Sequence, residues 1–189
     1  MNVLKTQLLT LVKFLSLANI EYVILGGLAV SVYGEPRFTA DIDVNIFLEK
    51  KKLNGFLKKA KLYGFYPIPK NINKFVKETG VIPMKFSKGT VIGRCDFIIA
   101  ENAIEKLSLK RAKIKKIDST KVRFVSPEDL IIHKITAGRP RDIEDVRGIL
   151  LRQQKKLDIS YIQYWLKMLE ASNKQLRLSE LFKGLLAGR

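Results

Sequence analysis

The sequence predicts an α/β fold of the mixed, α+β kind: a small mixed sheet flanked by helices, with a C-terminal part made of helices alone. Three observations carry it. Short apolar runs with alternating polar residues, bounded by Gly or Pro, recur up to residue 125 and mark strands. Between them lie stretches whose apolar residues fall three and four apart, the period of helices laid on a sheet. From Ser126 onward the alternation stops and only the helical period remains. A chain of 189 residues can bury a full core. Residues 1–125 are therefore expected as the core, with 126–189 a helical part packed on it as one body.

Taken in order, MNVLKTQLLTLVKFLSLA opens the chain with leucines and an early lysine, as a signal peptide would. Lys13 breaks the apolar run, and Leu4, Leu8, Leu11, Val12 and Leu15 share a helical face, so an amphipathic first helix is expected. Tyr22 to Leu25 reads as a strand ending at Gly26 and Gly27, and Leu28 to Tyr33 as one or two helical turns. Ile42, Val44, Ile46 and Leu48 then alternate with Asp41, Asp43, Asn45 and Phe47, a strand with one face on the core and one open. Leu53, Phe56, Leu57 and Ala60 predict a lysine-coated crossover helix. Pro67, Pro69 and Pro83 argue for loop from Phe65 to Lys85, with a short helix near Lys74. TVIGRCDFIIA predicts a strand with Cys95, Phe97 and Ile99 on one face and Arg94, Asp96 and Ile98 on the other. Lys113–Ile117 and Val122–Val125 suggest a hairpin about Asp118 and Ser119.

The helical part is punctuated clearly. Ser126 as N-cap, Pro127 at the first position and Asp129 at the capping-box position open a helix that Gly138 ends. A second starts near Pro140, a third is capped at Ser160, and the last carries Leu178, Leu181, Phe182, Leu185 and Leu186 on one stripe.

Charge narrows the function. Thirty-five Lys and Arg against 18 Asp and Glu give a net charge of +17, which attracts polyanions and disfavours a cationic substrate. Lysine runs at 50–52, 58–61 and 110–116 are either solvated faces or an electrostatic track for RNA. One cysteine, Cys95, rules out an intrachain disulfide, so a cytoplasmic location is the expectation. No apolar run approaches a membrane span, and no membrane association is expected.

The chemistry is concentrated between Leu25 and Leu48. Asp41 and Asp43 project from the same face of one strand, and two neighbouring carboxylates repel unless a cation lies between them. A hard divalent ion suits them, Mg²⁺ with Mn²⁺ as a substitute. Asp96, from another strand, would complete three acids able to bridge two ions for in-line displacement at phosphorus. Gly26 and Gly27, at a strand-to-helix junction, fit either a tight turn or a backbone cradle for a triphosphate, with Ser31 one turn on. Arg37 reads as a phosphate-neutralising fork or a solvated loop residue. His133, the single histidine, sits among isoleucines and reads as packing.

Together, LGG, thirteen residues from Leu28 to Ala40, DIDV and Asp96 in RCDFI resemble the minimal nucleotidyltransferase fold of the DNA polymerase β superfamily. That resemblance implies transfer of a nucleoside monophosphate from an NTP to an acceptor hydroxyl, with Asp41, Asp43 and Asp96 catalytic and metal-binding. A second resemblance lies in EDLIIHKITAGRPRDIEDVRGIL, which is similar to the downstream motifs of abortive-infection, type IV toxin nucleotidyltransferases. It implies nucleotide-binding roles for Lys134, Arg139, Asp142 and Asp145, and a toxin–antitoxin setting with a cognate protein partner. Asp142 and Asp145 also suit a helix N-terminus on plain dipole grounds. RNA, such as a tRNA 3′ end, is the acceptor that the charge favours. The alternative is a nucleotide- or nucleic-acid-binding protein of the same fold without turnover.

Overall fold

The structure is a computed structural model that describes residues 3–173 and 175–188. The first two residues of the stretch read as the opening helix lie outside them. Two compact units emerge. Unit 1 comprises residues up to Leu28 and Phe38–Phe124; unit 2 comprises Ala29–Arg37 and Val125 onward.

Unit 1 is a seven-stranded mixed sheet with helices. In chain order its elements are α1 (Val3–Leu17), β1 (Tyr22–Leu25), the start of α2 (Gly26–Tyr33), β2 (Asp41–Ile46), α3 (Leu53–Leu62), β3 (Phe65–Pro67), α4 (Ile72–Thr79), β4 (Val81–Lys88), β5 (Val91–Ile99), α5 (Ala103–Lys110), β6 (Lys113–Ile117) and β7 (Thr120–Phe124). The strand order is β3-β4-β5-β2-β1-β7-β6. β2 runs parallel to β5 and β1 parallel to β7, while the remaining neighbours are antiparallel.

Alternation sets the two faces of the central strands. Ile42, Val44 and Ile46 of β2 and Cys95, Phe97 and Ile99 of β5 are buried, on the side where α1 brings Phe14 and α3 brings Phe56. Phe97 meets Phe56 edge-on at 5.2 Å between ring centres and Phe65 at 5.8 Å, while Phe65 lies 4.9 Å from Phe86. Each such ring, fully buried, contributes about 1.5–3 kcal/mol of transfer free energy, enough to fix which way the strands face. The opposite face carries Asp41, Asp43 and Asp96.

The structure departs from the sequence reading at several places. The segment read as loop contains β3 and β4 as well as α4. Proline did not exclude strands because Pro67 ends a three-residue edge strand. Pro83, for its part, turns its backbone away from β5: its carbonyl accepts from the Ile68 N–H at 3.0 Å, on the β3 side. The helix α5 was missed, although Asn102 and Glu105 form a reciprocal capping box at its start. The short helix expected from Leu28 begins at Gly26.

Unit 2 contains the rest of α2, the loop to Arg37, and α6 (Pro127–Ala137), α7 (Pro140–Gln153), α8 (Ile159–Ser172) and α9 (Leu178–Ala187). Ser126 caps α6 by accepting from the Asp129 N–H, and Gly138 ends it at φ +64°. The cap of α8 is Asp158, which accepts from the Tyr161 N–H; Ser160 lies inside the helix. Leu130, Ile131, Ile135, Val146, Ile149, Ile162, Leu166 and Phe182 make the core. The last carbonyls of α2 are satisfied by α7: Arg152 donates to Gly34 O and Gln153 to Tyr33 O, both at 2.6 Å. Among the described residues no helix is long and apolar enough to cross a membrane.

Candidate active site

β2 and β5 are parallel neighbours whose register sets Asp43 opposite Asp96 and Asp41 opposite Arg94. Residues two apart on a strand share a face, so these four side chains stand together, away from the phenylalanine core. β1 lies on the other side of β2, with Leu25 opposite Asp43. The strand therefore delivers its next residue, Gly26, directly beside that aspartate.

Gly26 is required there on two counts. Its φ is +65°, a conformation costly to residues with a Cβ, and a Cβ built on it would lie 1.8 Å from Asp43 Oδ2. Gly27 is crowded too, since a Cβ would come within 2.8 Å of Thr39. A helix that opens on two such glycines presents backbone N–H groups at close range, the chemistry of a phosphate-binding turn.

Arg94 joins the acids. Its Nε and one terminal nitrogen donate to the two oxygens of Asp96, each at 3.1 Å. The hydrogen bond to Asp96, its charge, and the charges of Asp41 and Asp43 push the Arg94 pKa up, so it stays cationic. Sequence reasoning had placed Arg94 on this face without giving it a role; the signal was its position two residues before Asp96. Asn45 continues the row but is buried, its side-chain amide donating to Glu105 O at 3.2 Å. Cys95 points into the core, where burial, then the charges of Asp96, Asp43 and Asp41, hold its thiol pKa well up and leave it inert.

As they stand, no three acidic, histidine or cysteine side chains among the described residues are arranged to hold a metal ion, and Asp96 is turned onto Arg94. The donor set nevertheless fits a hard divalent cation. It offers carboxylate oxygens only, from one face of the sheet, and Gly26 leaves the Asp43 carboxylate the room a side chain would take.

The second set of residues comes together in unit 2. Lys134, on α6, lies 2.6 Å from Asp142 and 2.7 Å from Asp145 of α7. Asp145 also accepts both prongs of Arg37, at 2.8 and 2.9 Å, and Asp142 accepts from Arg139. The two carboxylates and the ammonium are buried, while Arg139 is largely exposed. Burial pushes both carboxyls up, but hydrogen bonds from Arg139 and Lys134 to Asp142, and from Arg37 and Lys134 to Asp145, outweigh it and hold both below the ordinary aspartate range. Beside Arg37 and Asp145 a cleft of about 310 Å³ is lined also by Glu35, Glu144, Arg147 and Leu151. Ser31 is half-buried on α2, and His133 is half-buried on α6.

A family described as nucleotidyl transferase of unknown function (DUF2204) matches residues 95–179, from just before Asp96 through α8 to the start of α9. No curated protein sequence matches the chain. Among solved structures, an antigenic nucleotidyltransferase-like protein from Paracoccidioides brasiliensis aligns with a TM-score of 0.58 and 21% identity, over 97% of this chain and 93% of that one. The antibiotic-resistance factor ANT(2″)-Ia aligns with a TM-score of 0.61 and 14% identity, over 93% of this chain and 97% of that one. This chain has the nucleotidyltransferase fold. The description of the matching family names a class of chemistry, transfer of a nucleotidyl group.

Proposed function

We propose that the protein transfers a nucleoside monophosphate from an NTP to an acceptor hydroxyl, and that the acceptor is RNA, such as the 3′ end of a tRNA. One observation carries the reading: Asp43 and Asp96 are register partners, Asp41 shares their face, and Gly26 at φ +65° lies against Asp43. In the reaction the acceptor oxygen bonds to the α-phosphorus, the bond to the β-phosphate bridging oxygen breaks, and pyrophosphate leaves. Asp41, Asp43 and Asp96 would hold Mg²⁺ or Mn²⁺, which supplies charge neutralisation at the phosphates. Asp96 accepts the hydroxyl proton, and Gly26 and Gly27 bring backbone N–H groups to the triphosphate.

In unit 2, Arg37 and Arg139 are the nucleotide-binding candidates. Lys134, Asp142 and Asp145 enter by holding them, because the Lys134 ammonium is buried between the two carboxylates. Ser31 adds a hydroxyl on α2.

Charge supports an RNA acceptor over a cationic one. Beyond the net +17, the β6–β7 hairpin sets Lys116 directly opposite Lys121, and Lys113, Lys115, Lys116 and Lys121 are all exposed. Like charges in a directly opposed pair cost stability that a polyanion relieves. A cognate protein partner, in a toxin–antitoxin pair of the cytoplasm, would find exposed Tyr164 and Met168 on α8.

The test is incubation with each labelled NTP, Mg²⁺ and a panel of RNAs. Label should enter RNA from at least one NTP, and Asp43→Ala should lose roughly a thousandfold in rate, some 4 kcal/mol, with its circular dichroism unchanged. Undiminished transfer by Asp43→Ala would end the proposal. Label on protein would replace the RNA acceptor with a polypeptide hydroxyl.

A further inference from the structure

The three acids of β2 and β5 are brought onto one face, yet they are not arranged as a metal cluster. Both oxygens of Asp96 are taken by the guanidinium of Arg94. The guanidinium fork engages both oxygens from the side on which a metal ion would chelate the carboxylate, so the two cations compete for Asp96.

Arg94 is built to leave. Its backbone is fixed: the buried Gln7 side chain donates to its carbonyl at 2.6 Å, and the preceding Gly93 makes room for Gln7, whose Oε1 would lie 2.0 Å from a Cβ there. Its side chain, by contrast, is 52% exposed, against 21% for Asp96. An anchored backbone with a half-exposed, two-pronged side chain can exchange partners without disturbing β5.

We propose that Arg94 is a positioning residue, a latch that occupies Asp96 in the resting protein and competes with a divalent cation for that carboxylate. The inference rests on the nucleotidyl-transfer reading of the three acids. Its consequence is thermodynamic: when the competent arrangement is only a fraction of the ensemble, apparent affinity falls by that fraction.

Manganese binding without NTP, followed by the electron paramagnetic resonance signal of free Mn²⁺, tests it. Arg94→Gln and Arg94→Lys should both bind Mn²⁺ about twofold to fivefold tighter than the wild type, the range set by an exposed ion pair. Lysine keeps the charge but not the two-pronged geometry, so a simple charge effect would leave Arg94→Lys at the wild-type affinity. Either that result, or no tightening in both variants, overturns the latch while leaving the acids as a metal site. Asp43→Asn distinguishes the larger failure: if it binds Mn²⁺ as tightly as the wild type, the acids are not the metal site and the transfer reading falls with the latch.

Discussion

Two clusters of charge in this molecule are built from the same residue types and reach opposite states. On α6 and α7, Asp142 and Asp145 are 3% and 5% exposed, and each is held by an arginine and by Lys134, three cations for two carboxylates. On β2 and β5, one half-exposed arginine faces three aspartates. The first cluster is closed and compensated, so its charge is committed to holding α6, α7 and the Arg37 loop. The second lies at the surface, where Arg94 is half-exposed, so its charges are screened by water. Asp142 and Asp145 are buried among cations, whereas Asp96 meets its arginine at the surface.

Removing Lys134 would break the contrast from the structural side, with the largest effect on stability. Lys134→Met leaves two buried carboxylates sharing only their arginines, and breaking a buried pair on one side costs about 3–5 kcal/mol. Urea unfolding should show it. A Lys134→Met protein of wild-type stability would mean that the lysine is not the keystone of the network.

A smaller effect, on the open cluster, is expected of Gly26→Ala. The left-handed backbone costs about 1–2 kcal/mol for a residue with a Cβ. That Cβ would also sit 1.8 Å from Asp43 Oδ2 and force the carboxylate aside. Nucleotidyl transfer should therefore fall together with the melting temperature. Gly55→Ala in α3 is the control, because nothing lies within 4 Å of its Cβ position and alanine is the better helix former. Equal behaviour of the two variants would show that the approach of Gly26 to Asp43 has no functional weight.

The two clusters also differ in how far they could be read from sequence. Asp41, Asp43 and Asp96 were legible because strand alternation dictates which residues share a face, and β2 and β5 are the cleanest alternating runs. What alternation cannot give is register, and it is register that makes Asp43 and Asp96 direct neighbours and brings Arg94 beside Asp41. The helices α6 and α7 announced their ends through Ser126, Pro127, Gly138 and Pro140, but their ion network spans Arg37 and Asp145, 108 residues apart, and no local pattern encodes that. β3 and β4 were hidden by prolines that lie where β3 ends: Pro67 closes that edge strand, and Pro83 faces Ile68 one residue beyond it. The start of α5 was hidden in a lysine-rich stretch, although its capping box was written in Asn102 and Glu105.

The smallest effect is expected at the exposed rim of the closed cluster. Arg139 has a side chain 73% exposed and shares Asp142 with the buried Lys134, so Arg139→Gln should cost no more than about 1 kcal/mol at neutral pH. The pH dependence sharpens the point. Asp142 and Asp145 are held below the ordinary aspartate value of about 3.9, so the folded state binds fewer protons than the unfolded chain. Their contribution is full above that value and is lost as pH falls through the lowered folded values. Arg139→Gln weakens the hold on Asp142 alone, so its deficit at pH 7 should shrink at an acid pH below the ordinary aspartate value, as that carboxyl takes up its proton in the folded state. Urea midpoints at the two pH values measure this. A deficit that persists undiminished in acid would show that Arg139 stabilises α7 through packing of its stem and not through the charge of Asp142.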